Sequence, residues 1–346
     1  MSNGIVQICT TVTACLLAGT ALAQTPPAAG APAPAAQANP NSSGEADLQA
    51  IVETMFTLGG NRKGFRASGA KGYCAKGTFT PSPEAASLSK APHFAKTVPM
   101  TARFSMGGGN PNISDKTKTT RGIALDFEDA SGSMVFYVIS APVFFAKTPR
   151  QVQEFVQVRL PGPDGKPDAE KIKAFSATNP ETTKQAAWLN ARPVPASFAG
   201  VDYWAVQAYT LTNRAGKATI AKLKAVAGAG QLGLSDDELK AKPDNFYADE
   251  LKERLGKGPV TFDFVAILGE AGDPTNDSTV MWPEESRKTV KLGSISIAAL
   301  QDNKVCDEKV SDPVVNLPEG VAGPANDPIF EARSQSYAIS RTRRTQ

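Results

Sequence analysis

FRASGAKGYCAKGTF, residues 65–79, is the stretch on which the reading of this chain turns. From Tyr73 to Phe79 it reads as a strand, and a loop of small residues precedes it. Arg66 on one side and Ala70-Lys71-Gly72 on the other frame that loop, with Gly69 at its centre. The frame is that of a loop presenting a working side chain at the mouth of a strand. The position that would present it has no side chain at all.

Working outward, Val98–Ser105, Gly122–Glu128 and Ser133–Ile139 also read as strands, separated by turn-rich stretches such as GGGNPNISDK (107–116). A helical insert follows, in PRQVQEFVQV (149–158), AEKIKAFSA (169–177) and ETTKQAAWLN (181–190). Strands resume at Trp204–Thr212, Lys217–Lys224, Val260–Leu268 and Thr289–Ile297, with NRAGKA (213–218) as a hairpin turn between the first two. SDDELKAK (235–242) and NFYADELKERLGKG (245–258) interrupt this half with helix. The total is eight strands, four and four. Eight is the number at which a closed barrel has an interior that side chains fill, or that holds one small ligand. Closure pairs the first strand with the last, which brings Cys74 close to Cys306 and predicts a bridge across that seam. The alternative is two unrelated buried thiols.

Upstream, ADLQAIVETMF (46–56) places Leu48, Ile51, Val52, Met55 and Phe56 on one helical stripe. Gln24–Glu45 is rich in Pro and Ala and uncharged until Glu45, the composition of a tether rather than a core. Residues 1–23 contain no Asp, Glu, Lys or Arg and end in Ala21-Leu22-Ala23, a secretory cleavage pattern that makes Gln24 the first mature residue. A lipoprotein reading at Cys15 is opposed by the short, threonine-broken apolar run before it. The organisation expected is therefore a signal peptide (1–23), a tether (24–45) and one domain (46–346), exported and periplasmic. In such an oxidising compartment the two mature cysteines pair more often than not.

Composition and residue counts exclude several function classes. The net charge is +3, from 37 Lys+Arg against 34 Asp+Glu, which gives no basic surface for nucleic acid beyond the tail SRTRR (340–344). No segment is apolar enough to span a bilayer. The chain has one histidine, His93, so a multi-histidine metal site is ruled out, and two mature cysteines with one histidine do not complete a tetrahedral zinc site. Neither a G-x-S-x-G elbow nor a P-loop occurs. His93, between Pro92 and Phe94, reads as a structural residue. The C-terminal segment DPIFEARSQSYAISRTRR (327–344) is more telling, because it sets Arg333 four residues before Tyr337, on one helical face. A guanidinium beside a phenol favours the phenolate, and a phenolate can ligate ferric haem iron. Arg344, two turns further along, can fork onto a carboxylate. Taken alone, these residues read first as an ordinary C-terminal helix with a solvated basic end.

Together with GFRASGAKGYCAKGTFTPSPEAASLSKAPHF (64–94), VPMTARFSMGGGNP (98–111), RGIALDFED (121–129), APVFFAKTP (141–149), NFYADELKERLGKGPVTFDF (245–264) and GDPTNDSTVMWPEE (272–285), that segment resembles the catalase superfamily, and within it the short, exported catalase-related peroxidases. The resemblance runs over residues 46–344 in family order. It implies an α+β fold, an eight-stranded antiparallel catalase-like β-barrel with helical insertions, and haem b as cofactor. It also implies peroxide and an electron donor as partners, and is compatible with a homo-oligomer.

Position by position, the resemblance makes Tyr337 the axial ligand of the haem iron and Arg333 its phenolate partner. Arg66, Arg103 and Arg344 match arginines that look toward the propionates. Phe144 and Phe145 match the aromatic pair on the distal face, and Ser105 matches a serine that hydrogen-bonds the distal histidine. Two positions depart. The family pattern R-x-x-H-A-K-G is here RASGAKG, so Gly69 stands where the distal histidine is expected; in VISAPVFF (138–145), Ser140 takes the place assigned to the distal asparagine. Peroxide heterolysis needs a proton taken from one oxygen and given to the other, and one positioned side chain is worth roughly 10²–10⁴ in rate. The expectation is a slow or unusual acid–base step and a void suited to organic peroxides. A non-catalytic haem carrier, sensor or scavenger on the same fold is the alternative.

Overall fold

The computed structural model describes residues 46–309 and 312–346. The expected signal peptide and tether lie outside them. Eight strands run β1 (Gly72–Pro81), β2 (Val98–Met106), β3 (Arg121–Asp129), β4 (Gly132–Ile139), β5 (Tyr203–Thr212), β6 (Ala218–Ala227), β7 (Val260–Leu268) and β8 (Thr289–Leu300), with a two-residue β9 (Val321–Ala322) added beside β5. Each anticipated strand is present within a few residues. β9 is too short to carry a period that a sequence reading detects.

All pairings are antiparallel, in the order β4-β3-β2-β1-β8-β7-β6-β5. The sheet closes through β4 and β5, where Ile139 pairs with Trp204. The seam between first and last strands is well laddered, from Ala75 opposite Leu300 to Pro81 opposite Gly293. The thin seam is β4–β5; from the helical insert between those two strands Trp188 packs against Trp204 there, ring centroids 5.6 Å apart. That insert holds α3 (Pro149–Gln157), α4 (Ala169–Thr178) and α5 (Lys184–Asn190). The remaining helices are α1 (Leu48–Leu58), α2 (Ala85–Leu88), α6 (Asp236–Ala241), α7 (Phe246–Lys257), α8 (Asn303–Glu308), α9 (Pro328–Glu331) and α10 (Arg333–Thr345). Among the described residues no helix is long and apolar enough to cross a membrane.

Alternation along the strands sends one set of side chains into the barrel. Phe79, Phe127, Phe136, Phe264 and Tyr209 are 1% exposed or less and fill it. Their rings pack in a chain, with centroids 4.5 Å apart for Phe79–Phe127, 5.7 Å for Phe127–Phe264, 5.4 Å for Phe136–Phe264 and 5.2 Å for Phe136–Tyr209. Such pairs contribute about 0.5–1.5 kcal/mol each beyond area burial. Of the two interiors open to an eight-stranded barrel, this chain has the filled one, so room for a ligand lies outside it.

Helix α1 begins at Asp47, whose carboxylate accepts from Ala50 N at 3.0 Å. It ends at Gly59-Gly60, Gly60 taking a left-handed φ of 81°. The barrel seam is cross-linked as expected, by a Cys74–Cys306 disulfide closing a separation of 232 residues. Removing such a bridge typically costs about 2–5 kcal/mol. The Cys74→Ser/Cys306→Ser variant is expected to show that loss as a lower urea midpoint. An unchanged midpoint would mean that the bridge is not formed in the protein.

Candidate functional site

Between the outer face of β2–β5 and helices α1 and α10 lies a cavity of about 540 Å³, within the range of small-molecule sites. Its inner wall is the alternate set of the barrel strands: Arg103 and Ser105 of β2, Ala124 of β3, Tyr137 and Ile139 of β4, and Val206 of β5. Their neighbours Phe104, Ile123, Phe136 and Val138 belong to the barrel core. Leu48, Ile51, Val52 and Met55 of the α1 stripe form part of the facing wall, so that stripe is shared between packing and cavity. Gly69, Ser105, Arg66, Arg103, Phe144, Arg333, Arg344 and Tyr337 all line this one cavity. Of the anticipated site residues, Ser140 alone does not.

At one end stands the pair from α10. Arg333 Nη1 donates to Tyr337 Oη at 3.1 Å, as the four-residue spacing implies. Its Nη2 donates to Gln207 Oε1 at 3.3 Å, and its Cζ lies 5.9 Å from the centroid of the Tyr137 ring. Burial opposes the charge on Arg333, but the phenols of Tyr337 and Tyr209 outweigh it and hold the guanidinium above the ordinary arginine range. A negative charge on Tyr337 Oη thus has its counter-ion in place. The sequence fixes α10 locally. Asp327 caps the preceding turn, accepting from Ile329 N at 2.9 Å and Phe330 N at 3.1 Å. Phe330 anchors in the core, edge-on to Tyr209 at 6.0 Å, and Ser334 Oγ donates to Asp312 Oδ2 at 2.6 Å.

Elsewhere along the cavity wall cations gather. Arg66 and Arg344 both pair with Asp307, a residue the sequence reading had not singled out. Arg66 Nη2 also donates to Cys306 O at 3.0 Å, and Arg344 Nη2 to Asp307 O at 3.1 Å. The disulfide therefore holds the short helix α8 that carries the carboxylate these two arginines share. Arg103 Nη1 donates to Gly69 O at 2.8 Å, while its Nε is buried without a partner. Burial first, then the neighbouring Arg66 guanidinium, push its pKa down to about 9. Arginine stays protonated at working pH, so this depression measures an electrostatic cost that an incoming carboxylate relieves. Gly72 makes the arrangement possible, since a Cβ there would sit 2.7 Å from Arg103 Cζ.

Gly69 has a left-handed φ of +65°, and a Cβ built on it would meet Ser105 Oγ at 3.4 Å, an ordinary contact. The backbone thus asks for glycine while the space admits a side chain. Opposite it, the expectation for Ser140 requires correction. Ser140 Oγ accepts from Arg121 N at 2.9 Å and lines a different cavity with Arg121, Trp188 and Trp204. The residue of that segment on the wall is Ile139, because adjacent strand residues face opposite sides. Phe144 and Phe145 stack at 4.3 Å, and Phe144 N donates to Ser278 O at 2.8 Å, which fixes the loop that carries them. His93 lies away from the cavity, 0% exposed, with Nε2 3.0 Å from Gly132 O.

The donor set suits one kind of group: a flat, apolar-faced ligand with carboxylates at its edge and a metal that accepts a phenolate. The phenol with its guanidinium, the orphaned Arg103 Nε and the excess of cation over anion around Asp307 are all consistent with haem.

Comparison with known proteins agrees. The sequence matches the family described as Catalase over residues 29–346. It is 36% identical over 303 residues to a catalase-related peroxidase of Synechococcus elongatus, covering 86% of this chain and 87% of the relative. It is 30% identical over 299 residues to one of Mycolicibacterium paratuberculosis, covering 85% and 93%. Among solved structures, a fungal catalase and catalase A from Saccharomyces cerevisiae each share the fold with a TM-score of 0.74 at 20% identity, over 82% of this chain. This chain spans 60% and 62% of the length of those two catalases. Barrel, cavity and sequence thus agree, and the chain belongs to the catalase family.

Proposed function

We propose that the chain is an exported, periplasmic peroxidase that holds haem b through Tyr337 and reduces organic hydroperoxides at the expense of an electron donor. Its acid–base step departs from the family pattern because Gly69 and Ile139 occupy the positions of the proton-handling side chains. The observation that carries this reading is the 3.1 Å Arg333–Tyr337 pair in an apolar cavity that also holds four further arginines, Arg66, Arg103, Arg341 and Arg344. The peroxidase character is supported by the catalase-related peroxidases to which the chain is similar. When bound, haem supplies the iron chemistry by which peroxides are reduced. Arg333 neutralises the phenolate of Tyr337. Arg66, Arg103 and Arg344 bind carboxylates, and the faces of Ile139, Phe144, Phe145 and Val152 exclude water and accept an alkyl chain. The space above Gly69 favours a hydroperoxide bulkier than hydrogen peroxide.

The test is reconstitution with haemin, followed by steady-state turnover of a bulky alkyl hydroperoxide beside hydrogen peroxide. Turnover above that of free haemin, with the alkyl substrate preferred, is expected. A bound Soret band with no such turnover would instead support the non-catalytic haem protein, the reading favoured by the absence of imidazole and amide at Gly69 and Ile139. Replacing either Arg66 or Arg344 by Leu removes a charge-assisted contact worth about 1.5–3 kcal/mol. Haemin affinity is then expected to fall about 10- to 100-fold in a spectroscopic titration.

A further inference from the structure

We propose that the hydroxyls of Tyr137 and Ser105 form the polar contact for the peroxide oxygens in this cavity, and that Tyr137 is a further catalytic residue. The inference rests on the peroxidase reading above and names the group that handles protons there.

The geometry is built on three strands. Ser105 of β2, Gly122 of β3 and Ile139 of β4 lie on one rung, and Tyr137 sits two residues before Ile139 on the same face. From there its ring reaches diagonally across Gly122, a distance that an aromatic side chain spans. A Cβ at Gly122 would stand 2.7 Å from Tyr137 Oη and 3.1 Å from Ser105 Oγ. Glycine at that position is therefore what lets the two hydroxyls approach each other. On the other side of Ser105, a Cβ at Gly69 would lie 3.4 Å from its Oγ. The pair thus opens onto the space where the family resemblance places an imidazole. A serine without that imidazole has a phenol beside it instead.

The surroundings leave these hydroxyls few competitors. Ile139, Phe144 and Ala124 are apolar, and Arg103 Nη1 is engaged with Gly69 O. Burial, followed by the neighbouring Tyr337, raises the Tyr137 pKa, while Ser105, Arg333 and Arg103 oppose the rise. The phenol therefore remains a neutral donor. The chemistry it offers moves only protons. The peroxide O–H proton passes to Ser105 Oγ as Ser105 gives its own to Tyr137 Oη, and Tyr137 gives its own to the other peroxide oxygen. Three O–H bonds break and three form. Neither side chain changes charge, gains or loses an electron, or requires regeneration.

The experiment uses the full haemin-reconstituted chain and its Tyr137→Phe, Ser105→Ala and Ser140→Ala variants. Tyr137→Phe keeps the ring that packs by Arg333 and removes only the hydroxyl. Its kcat/KM for an alkyl hydroperoxide is expected to drop at least 10-fold, with Ser140→Ala unchanged. Fluoride, which binds the ferric protein and accepts hydrogen bonds, provides a readout apart from turnover. Its affinity is expected to fall about 10-fold in both Tyr137→Phe and Ser105→Ala. Native turnover and fluoride affinity in both of these variants, with haemin bound, would overturn the inference and leave the peroxidase reading standing. Failure of the unsubstituted chain to bind haemin or turn over would overturn the peroxidase reading instead. If Tyr137→Phe does not fold, Ser105→Ala decides the matter by the same two measurements.

Discussion

Gly69→His combined with Ile139→Asn is expected to raise the rate of reaction with hydrogen peroxide by about 10²- to 10⁴-fold, the worth of a positioned acid–base side chain. The lower part of that range applies if Tyr137 already moves protons in the native cavity. The structure permits the histidine. A Cβ at Gly69 makes only ordinary contacts, the nearest at 3.4 Å with Ser105 Oγ, which would take up its hydrogen bond to the imidazole. The cost is conformational. With φ at +65° a side chain is strained, by roughly 1–3 kcal/mol, although histidine is among the residues that tolerate the left-handed region better than most. Asparagine for Ile139, itself 6% exposed, adds a polar group to an apolar wall at about 1–3 kcal/mol. A thermal melt should register both penalties. The discriminating control is Gly69→His with Ser140→Asn. Its second change points into the other cavity and should add nothing to the single substitution. Equal gains from the two pairs would show that Ile139 does not face the peroxide. No gain from either, with haemin bound, would mean that Gly69 is glycine for its backbone alone.

What could be read from the sequence and what could not divides along a physical line. Strand existence was legible because half-buried strands between turn residues carry a local period, and the Cys74–Cys306 bridge followed from closure. The Arg333–Tyr337 pair was legible because four residues along a helix is a fixed geometry. Facing was less secure. A strand has a period of two, so an error of one residue moves a side chain to the opposite surface, and that is the distance between Ser140 and Ile139. Contacts that need three strands at once had no sequence signal: Tyr137 meets Ser105 only because Gly122 lies between them on β3. Asp307 was hidden for a similar reason. It joins Arg66 and Arg344 through the fold, and only its place next to Cys306 hinted that α8 would be pinned beside the loop of residues 65–72. The location of the cavity outside a filled barrel follows from the aromatic core, whose ring contacts are long-range.

Tyr337→Phe is expected to weaken haemin binding by at least about 100-fold. Loss of an outer-shell partner alone typically costs 10- to 100-fold in metal-site affinity or activity, and this substitution removes the ligand atom itself. The ring and its packing remain, so the effect isolates the oxygen. Arg333 would then keep Gln207 Oε1, at 3.3 Å, as its remaining hydrogen-bond acceptor, and a buried charge stripped of a partner costs about 1–3 kcal/mol. The apo protein should therefore also melt earlier, which separates lost ligation from lost stability when the two are measured side by side. Arg333→Met provides the complementary cut: ligand retained, counter-charge removed. Because the two residues act as a unit, the double variant should be much less impaired than the sum of the singles, with a coupling of about 0.5–3 kcal/mol. Additive losses would mean that the 3.1 Å contact has no bearing on the bound group. If Tyr337→Phe instead bound haemin with native affinity and an unaltered spectrum, the phenolate ligand would have to come from elsewhere. Tyr137 is the other tyrosine lining the cavity among the described residues. A Tyr137→Phe variant that then lost haemin would reverse the two assignments, placing the iron on the barrel wall rather than on α10.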